Sequence, residues 1–227
     1  MSIFRTVTLE CPACATPISF DLVISVSADR RPDLRAAILD GSFQRLACPG
    51  CGTAVRADPE FTYMDIARKQ YLGVWPADKR GAWHEWAAKT RQVFDDMLGA
   101  NATPEAKRVG GQVDLRTVFG WPALVEKILA RGAGIDDRTL EVAKLAVMRT
   151  SAESPLPGEQ ELRLIGVGDS ELTLAWIGGS DTDATPVIRV PRQLLADIEA
   201  EAGAWQAARE RVAEGDVVDF QREMLLA

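Results

Sequence analysis

Two short stretches decide how this chain is read: Cys11-Pro-Ala-Cys14 and Cys48-Pro-Gly-Cys51-Gly52. Together they use all 4 cysteines of the 227-residue chain. In each pair two residues separate the cysteines, which turns both sulfurs toward one point. The 33 residues between the pairs let the two knuckles meet around one ion. Four thiolates in tetrahedral geometry suit Zn²⁺, and a coordination sphere with no open position is normally structural. The sequence therefore implies a four-cysteine zinc site made of Cys11, Cys14, Cys48 and Cys51. A lone CxxC could be a redox dithiol, but that chemistry needs a thioredoxin-like βαβ setting. Two disulfides would need an oxidising compartment, and nothing in the sequence indicates export. Iron–sulfur clusters also take four thiolates, with different usual spacings.

Outward from the knuckles the pattern is that of a two-knuckle zinc ribbon. Thr6–Glu10 leads into the first knuckle as a strand and Ile18–Val26 leads out. Pro32 opens a short helix through Leu39, and Gly41 is placed to end it. Ser42–Ala47 returns as a strand to the second knuckle, with Thr53–Ala57 and Phe61–Ile66 as further strands. Helical spacing follows over Asp78–Leu98, with Asp78 as cap. Residues 99–111 read as an exposed connection. A helix starts at Gly120-Trp121-Pro122, and another runs from a cap at Asp136-Asp137 to about Arg149.

These residues carry a resemblance. CPAC at 11–14, AAILDGSFQRLACPGCG at 36–52 and FTYMD at 61–65 resemble the CpXC domain, and the segment Arg116–Lys144 resembles the second half of such proteins. The resemblance spans roughly residues 5–150. It implies a zinc-binding bacterial or archaeal domain without an assigned activity, with the four cysteines as ligands and no catalytic residue. One departure is Ala15, where glycine often follows such a knuckle.

Ser151–Gly158 (SAESPLPG) reads as a linker between two parts. After it, Leu162–Val167 and Glu171–Ile177 alternate around Gly168-Asp169-Ser170, a hairpin signal. Pro186–Val190 is a third strand, Pro191–Ala202 a helix, and Trp205–Val212 a last amphipathic stretch. The expected fold class is α+β. Residues 1–150 form a zinc ribbon with a helical insertion and a helical segment, and residues 157–227 form a small acidic α+β domain.

Charge divides unevenly between the parts. Residues 1–150 hold 20 Lys+Arg against 18 Asp+Glu, whereas residues 151–227 hold 6 against 15. No basic face of the kind that neutralises phosphates is evident, though folding could gather Arg30, Arg31, Arg35 and Arg45. No run of about 18 apolar residues is long enough to span a bilayer. The N-terminus does not have the pattern of a signal peptide, so the expected compartment is the cytoplasm.

Other groups that could carry chemistry each have a plainer use. His84, the single histidine, lies between Trp83 and Glu85-Trp86 in a helical pattern, where packing is the usual role. Asp95-Asp96 and Asp136-Asp137 are adjacent on helices and point apart, while Asp181–Asp183 sits in a surface-loop pattern. Gly110-Gly111 and Gly178-Gly179 lack the lysine and hydroxyl residue of a phosphate loop. Trp75, Trp83, Trp86 and Trp121 are expected in the core, with one or two left over as exposed interface anchors. The leading expectation is a non-catalytic module or adaptor that binds another protein. The alternative is a nucleic-acid-binding or transcription-linked regulator, and an enzyme with an unrecognised site ranks third.

Overall fold

The computed structural model describes residues 3–150, 160–178 and 184–224. The linker expected at Ser151–Gly158 and the Asp181–Asp183 loop lie outside the described residues.

The N-terminal sheet begins with β1 (Ile3–Glu10) and β2 (Pro17–Ser27), an antiparallel hairpin whose tip carries the first cysteine pair. The chain then forms α1 (Pro32–Leu39) and a second, short hairpin, β3 (Arg45–Ala47) and β4 (Ala54–Arg56), whose tip carries the second pair. A third hairpin, β5 (Phe61–Asp65) and β6 (Gln70–Trp75), completes this half. The first hairpin is not a free-standing ribbon. β2 also pairs in parallel with β5, and β6 in parallel with β7 (Asp114–Phe119), giving five strands in the order β1-β2-β5-β6-β7.

Between β6 and β7 run a 3₁₀ turn (Ala77–Ala82), α2 (Trp83–Met97) and α3 (Pro104–Gly110). Two expectations are corrected here. The helix begins at Trp83 rather than Asp78, and Asp78 pairs with Lys79 at 3.2 Å instead of capping. Residues 99–111 are not wholly a connection. Thr103 caps α3 by accepting from the Ala106 amide at 3.4 Å, with Pro104 preorganising the first turn.

From β7 the chain enters α4 (Gly120–Gly132) and α5 (Asp137–Thr150). β8 (Gln160–Val167), β9 (Glu171–Gly178) and β10 (Ala184–Pro191) then form an antiparallel sheet in the order β10-β9-β8. α6 (Gln193–Ala200) and α7 (Gln206–Arg211) follow. A two-stranded pair, β11 (Ala213–Glu214) and β12 (Val217–Val218), precedes the terminal α8 (Gln221–Met224).

Several apolar clusters among the described residues hold these layers. On one face of the large sheet, Val26, Tyr63, Leu72 and Val74 pack under Ile38 of α1 and Leu124 and Ile128 of α4. On the other face, Tyr71 and Leu115 pack under Phe94 of α2. β6 is therefore covered on both sides, and Gln70–Val74 is a continuous buried run. A third cluster joins Ala130, Leu140 and Val142 of α4 and α5 to Leu162, Leu174, Trp176, Ile198 and Phe220. The two parts delimited in the sequence thus share this core.

Candidate metal centre

Each cysteine pair closes a turn of the same construction. In the first, the Ala15 amide donates to the Cys11 carbonyl at 2.8 Å and the Cys11 amide to the Thr16 carbonyl at 3.0 Å. In the second, the Gly52 amide donates to the Cys48 carbonyl at 2.8 Å and the Cys48 amide to the Thr53 carbonyl at 2.8 Å. Both turns place the residue after the second cysteine in the left-handed region, Ala15 at φ 57° and Gly52 at φ 74°. Gly52 meets that requirement without strain, while Ala15 meets it at a cost. The parallel extends to the side chains: the Thr16 hydroxyl lies 3.2 Å from Cys14 Sγ, and the Thr53 hydroxyl 3.2 Å from Cys51 Sγ. The repeat is therefore Cys-Pro-x-Cys-x-Thr, and the threonines are the part the sequence reading passed over.

The hairpins bring the knuckles face to face. All four sulfurs lie within 4.8 Å of one another, and across the knuckles Cys11 approaches Cys51 and Cys14 approaches Cys48, each to 3.7 Å. All four are free thiols. Cys11 and Cys48 are buried against Ile18, Phe20, Val55 and Ala57, a small apolar cluster shared by both hairpins, while Cys14 and Cys51 face solvent. The group could hold a metal ion.

The electrostatics set Cys11 apart from the two exposed sulfurs. For Cys11 the Ala13 amide pulls downward, but burial and the neighbouring Cys48 and Cys14 sulfurs push the thiol up to about 11. The Thr16 hydroxyl and amide bring Cys14 down to about 6, and Thr53 lowers Cys51 in the same way. The threonines thus favour the thiolate form, the form that ligates metals.

The family model described as CpXC protein matches residues 9–144. This chain belongs to the CpXC family. The match takes in both knuckles and ends on Lys144, within α5. No curated protein and no solved structure matches the chain.

Elsewhere in this CpXC protein the other sequence-marked residues have local partners. His84 is exposed and its ring stacks on Trp83 at 3.4 Å between centroids. Asp136 caps α5, accepting from the Thr139 amide at 2.8 Å. Asp137, the first residue of α5, instead reaches β7: its carboxylate takes both Arg116 Nε at 2.7 Å and Nη2 at 3.1 Å. Asp95 and Asp96 accept from Ala100 and Asn101 beyond the end of α2. None of the six tryptophans is exposed; Trp83, Trp121 and Trp176 are buried and the others half-buried. No helix among the described residues is long and apolar enough to cross a membrane.

The sequence reading missed a buried ionic network between α4, α5, β8 and the β12–α8 segment. Glu126 accepts from Lys144 Nζ at 2.8 and 3.0 Å, Arg163 Nη1 at 3.0 Å and the Leu164 amide at 2.7 Å. Lys144 also pairs with Glu141 at 2.8 Å, Lys127 with Glu141 at 3.2 Å, and Arg163 with Asp219 and Glu161 at 2.8 Å each. Glu126, Glu141, Lys144 and Arg163 are each 0% exposed. A spacing signal was available: Glu126-Lys127 and Glu141…Lys144 put charge on the apolar, inward stripes of α4 and α5.

Proposed function

We propose that Cys11, Cys14, Cys48 and Cys51 hold one Zn²⁺ in a structural role, and that the metal-braced hairpins form a non-catalytic module that binds another protein. The observation that carries the zinc reading is the 3.7 Å separation of sulfurs across the knuckles. Four thiolates around an ion at about 2.3 Å form a tetrahedron with edges of about 3.8 Å. An all-thiolate set favours zinc among the common divalent ions and leaves no position for substrate. With Cys11 and Cys48 buried under one small apolar cluster, the ion would fix the relative placement of two hairpins that bury little else together.

The interaction reading is supported by what the same hairpins leave in solvent. Leu46, on β3 beside the second knuckle, is 43% exposed, and Ile3 and Phe4 on β1 are also exposed. Among the described residues β1 pairs on one side only, which leaves its outer backbone edge available to another strand. A nucleic-acid role has less support. Of the arginines that could form a basic face, Arg31 pairs with Asp33 at 2.6 Å and Arg35 with buried Asp65 at 3.0 Å.

The test is tagged purification from the native host, with and without nuclease, for the natural chain and for Leu46→Asp, alongside metal analysis by mass spectrometry. The expected result is about one zinc per chain and a stoichiometric protein that survives nuclease and is lost in the variant. A companion that vanishes with nuclease overturns the protein-partner reading in favour of nucleic acid.

A further inference from the structure

The pairing of β1 with β2 slips once. Ile3 faces Ser25 and Phe4 faces Val23, so Ile24 has no partner on β1. An extra residue of this kind bends its strand and re-aims a side chain, and such bulges gather at sheet edges and beside active sites. Here Ile24 lines a cavity of about 260 Å³ that also touches Val93 of α2. The cavity follows from partial cover of the sheet: α2 packs over Tyr71 of β6 and Leu115 of β7, and a gap is left beside β2. Its volume falls just below the range of drug-sized sites, which points to a small ligand.

The apolar part of the lining is braced. Trp75 donates from Nε1 to the Thr90 hydroxyl at 2.9 Å, and its ring lies 4.6 Å from that of Trp86 between centroids. Tyr71 meets the Phe94 ring edge-on at 5.0 Å. Val93 is 40% exposed, an apolar side chain left uncovered at the cavity. Two charges of opposite sign complete the lining, Arg5 on β1 and Glu60 immediately before β5. Both are exposed, and neither side chain has a hydrogen-bond or ion-pair partner among the described residues. β2 lies between the strands they belong to, so those strands stand roughly 10 Å apart. The two charges form no ion pair across that gap. A small ligand carrying both signs would give each its counterion.

We infer that this cavity binds a free α-amino acid with an apolar side chain. The carboxylate meets Arg5, whose guanidinium fork matches it in two parallel bonds. The ammonium meets Glu60. The side chain lies against Ile24 and Val93, with Trp75 and Tyr71 beside them. The inference does not rest on the metal or on the protein-partner reading: no cysteine takes part, and β1 contributes a side chain rather than its backbone edge.

The test uses the full chain with its metal, titrated with leucine, phenylalanine, N-acetylleucine, leucinamide and glycine while backbone amides and the Trp75 indole N–H are followed by NMR. The expected result is that leucine or phenylalanine binds with a roughly millimolar or tighter constant and shifts Ile24, Val93 and Trp75. N-acetylleucine lacks the ammonium and leucinamide the carboxylate, so each should bind at least about tenfold more weakly than leucine. Glycine should lose a similar factor for want of an apolar body. Arg5→Gln and Glu60→Gln, both at exposed positions, should each weaken leucine by about tenfold. Arg5→Gln should leave leucinamide binding unchanged, and Glu60→Gln should leave N-acetylleucine binding unchanged, because each probe already lacks the group that the altered residue meets. The inference is overturned if neither amino acid moves these resonances, if N-acetylleucine or leucinamide binds as tightly as leucine, or if both variants bind leucine as the natural chain does.

Discussion

Replacing Glu126 with glutamine tests whether the buried ionic network carries the stability of the shared core. Glu126 is wholly buried and its carboxylate serves Lys144, Arg163 and the Leu164 amide together. Glutamine preserves the shape and one acceptor for the Leu164 amide, but it turns an NH₂ group toward two cations. Lys144 keeps Glu141, and Arg163 keeps Glu161 and Asp219, so neither is abandoned; the network is left with one positive charge in excess. Breaking a buried ionic arrangement by removing one partner costs about 3–5 kcal/mol. In a chain of this length each kcal/mol lowers Tm by roughly 2–4 °C, so a fall of about 6–20 °C is expected by circular dichroism at pH 7. The double variant Glu126→Leu with Lys144→Met removes one charge of each sign and should recover a large share of that loss, because well-packed apolar replacements of buried ion pairs are often neutral. The cycle through Glu126→Leu alone, Lys144→Met alone and both together must therefore be strongly non-additive. A Glu126→Gln variant within about 1 kcal/mol of the natural chain, or an additive cycle, would refute the reasoning.

Acid should destabilise the protein with a defined sign. Burial pushes Asp137, Asp219 and Glu126 upward, but Lys127 and Arg116, Arg163 and Lys144, and Lys144 and Arg163 respectively outweigh it, and all three end below their ordinary values. Groups lowered on folding contribute stability that is complete above the unfolded carboxylate range and is lost progressively as pH falls from there through their lower folded values, so Tm should drop below about pH 4. Glu141 is the exception: its burial outweighs Lys144 and Lys127, it is raised, and it opposes the trend as one group against three. A Tm that holds constant from pH 7 to about pH 3 contradicts this assignment. Cys48→Ser should lower bound metal from about one ion per chain toward zero and reduce Tm, read by mass spectrometry and calorimetry, whereas unchanged stoichiometry and melting refute structural zinc. Ending the chain at residue 150 should give an aggregating product, because Leu140, Val142 and Lys144 would lose Leu162, Leu174 and Phe220 from above them. A monomeric 1–150 fragment with a cooperative melt would show that the N-terminal part folds alone.

The knuckles were legible because a four-cysteine cluster that could hold a metal ion shows its spacing in the sequence itself: the four cysteines named from CPAC and CPGCG are the four that converge. The alternating strands β2, β5, β8 and β9 were legible for a similar reason, since one face of each differs from the other. β6 was not. Gln70–Val74 is buried on both faces, so no period of two survives, and Gly73 argues locally against a strand. Gly73 is there because a Cβ would lie 2.3 Å from the Thr90 hydroxyl of α2, a contact no local pattern contains. The hidden symmetry of the knuckles had a sequence trace, Thr16 and Thr53, but its meaning lies in their approach to sulfur. The ionic network left only charged residues on apolar helical stripes, and which cation meets which carboxylate depends in most pairs on contacts between residues 14 to 81 apart in the chain.

The network also explains why the C-terminal part is more than an appendage to the CpXC match. Within residues 9–144 the connected ions are Arg80, Arg116, Lys127 and Lys144 against Glu126, Asp137 and Glu141, one positive charge in excess. Beyond the match they are Arg163 against Glu161 and Asp219, one negative charge in excess. Each set alone is out of balance by one charge; joined, five cations meet five anions. The uneven charge of the two parts in sequence, slightly basic before residue 150 and strongly acidic after it, has its buried counterpart here. Purely apolar faces on α5 and β8 could meet in many registers. A set of charges that balances only in one alignment selects that alignment, so the junction is held by burial and fixed in register by charge.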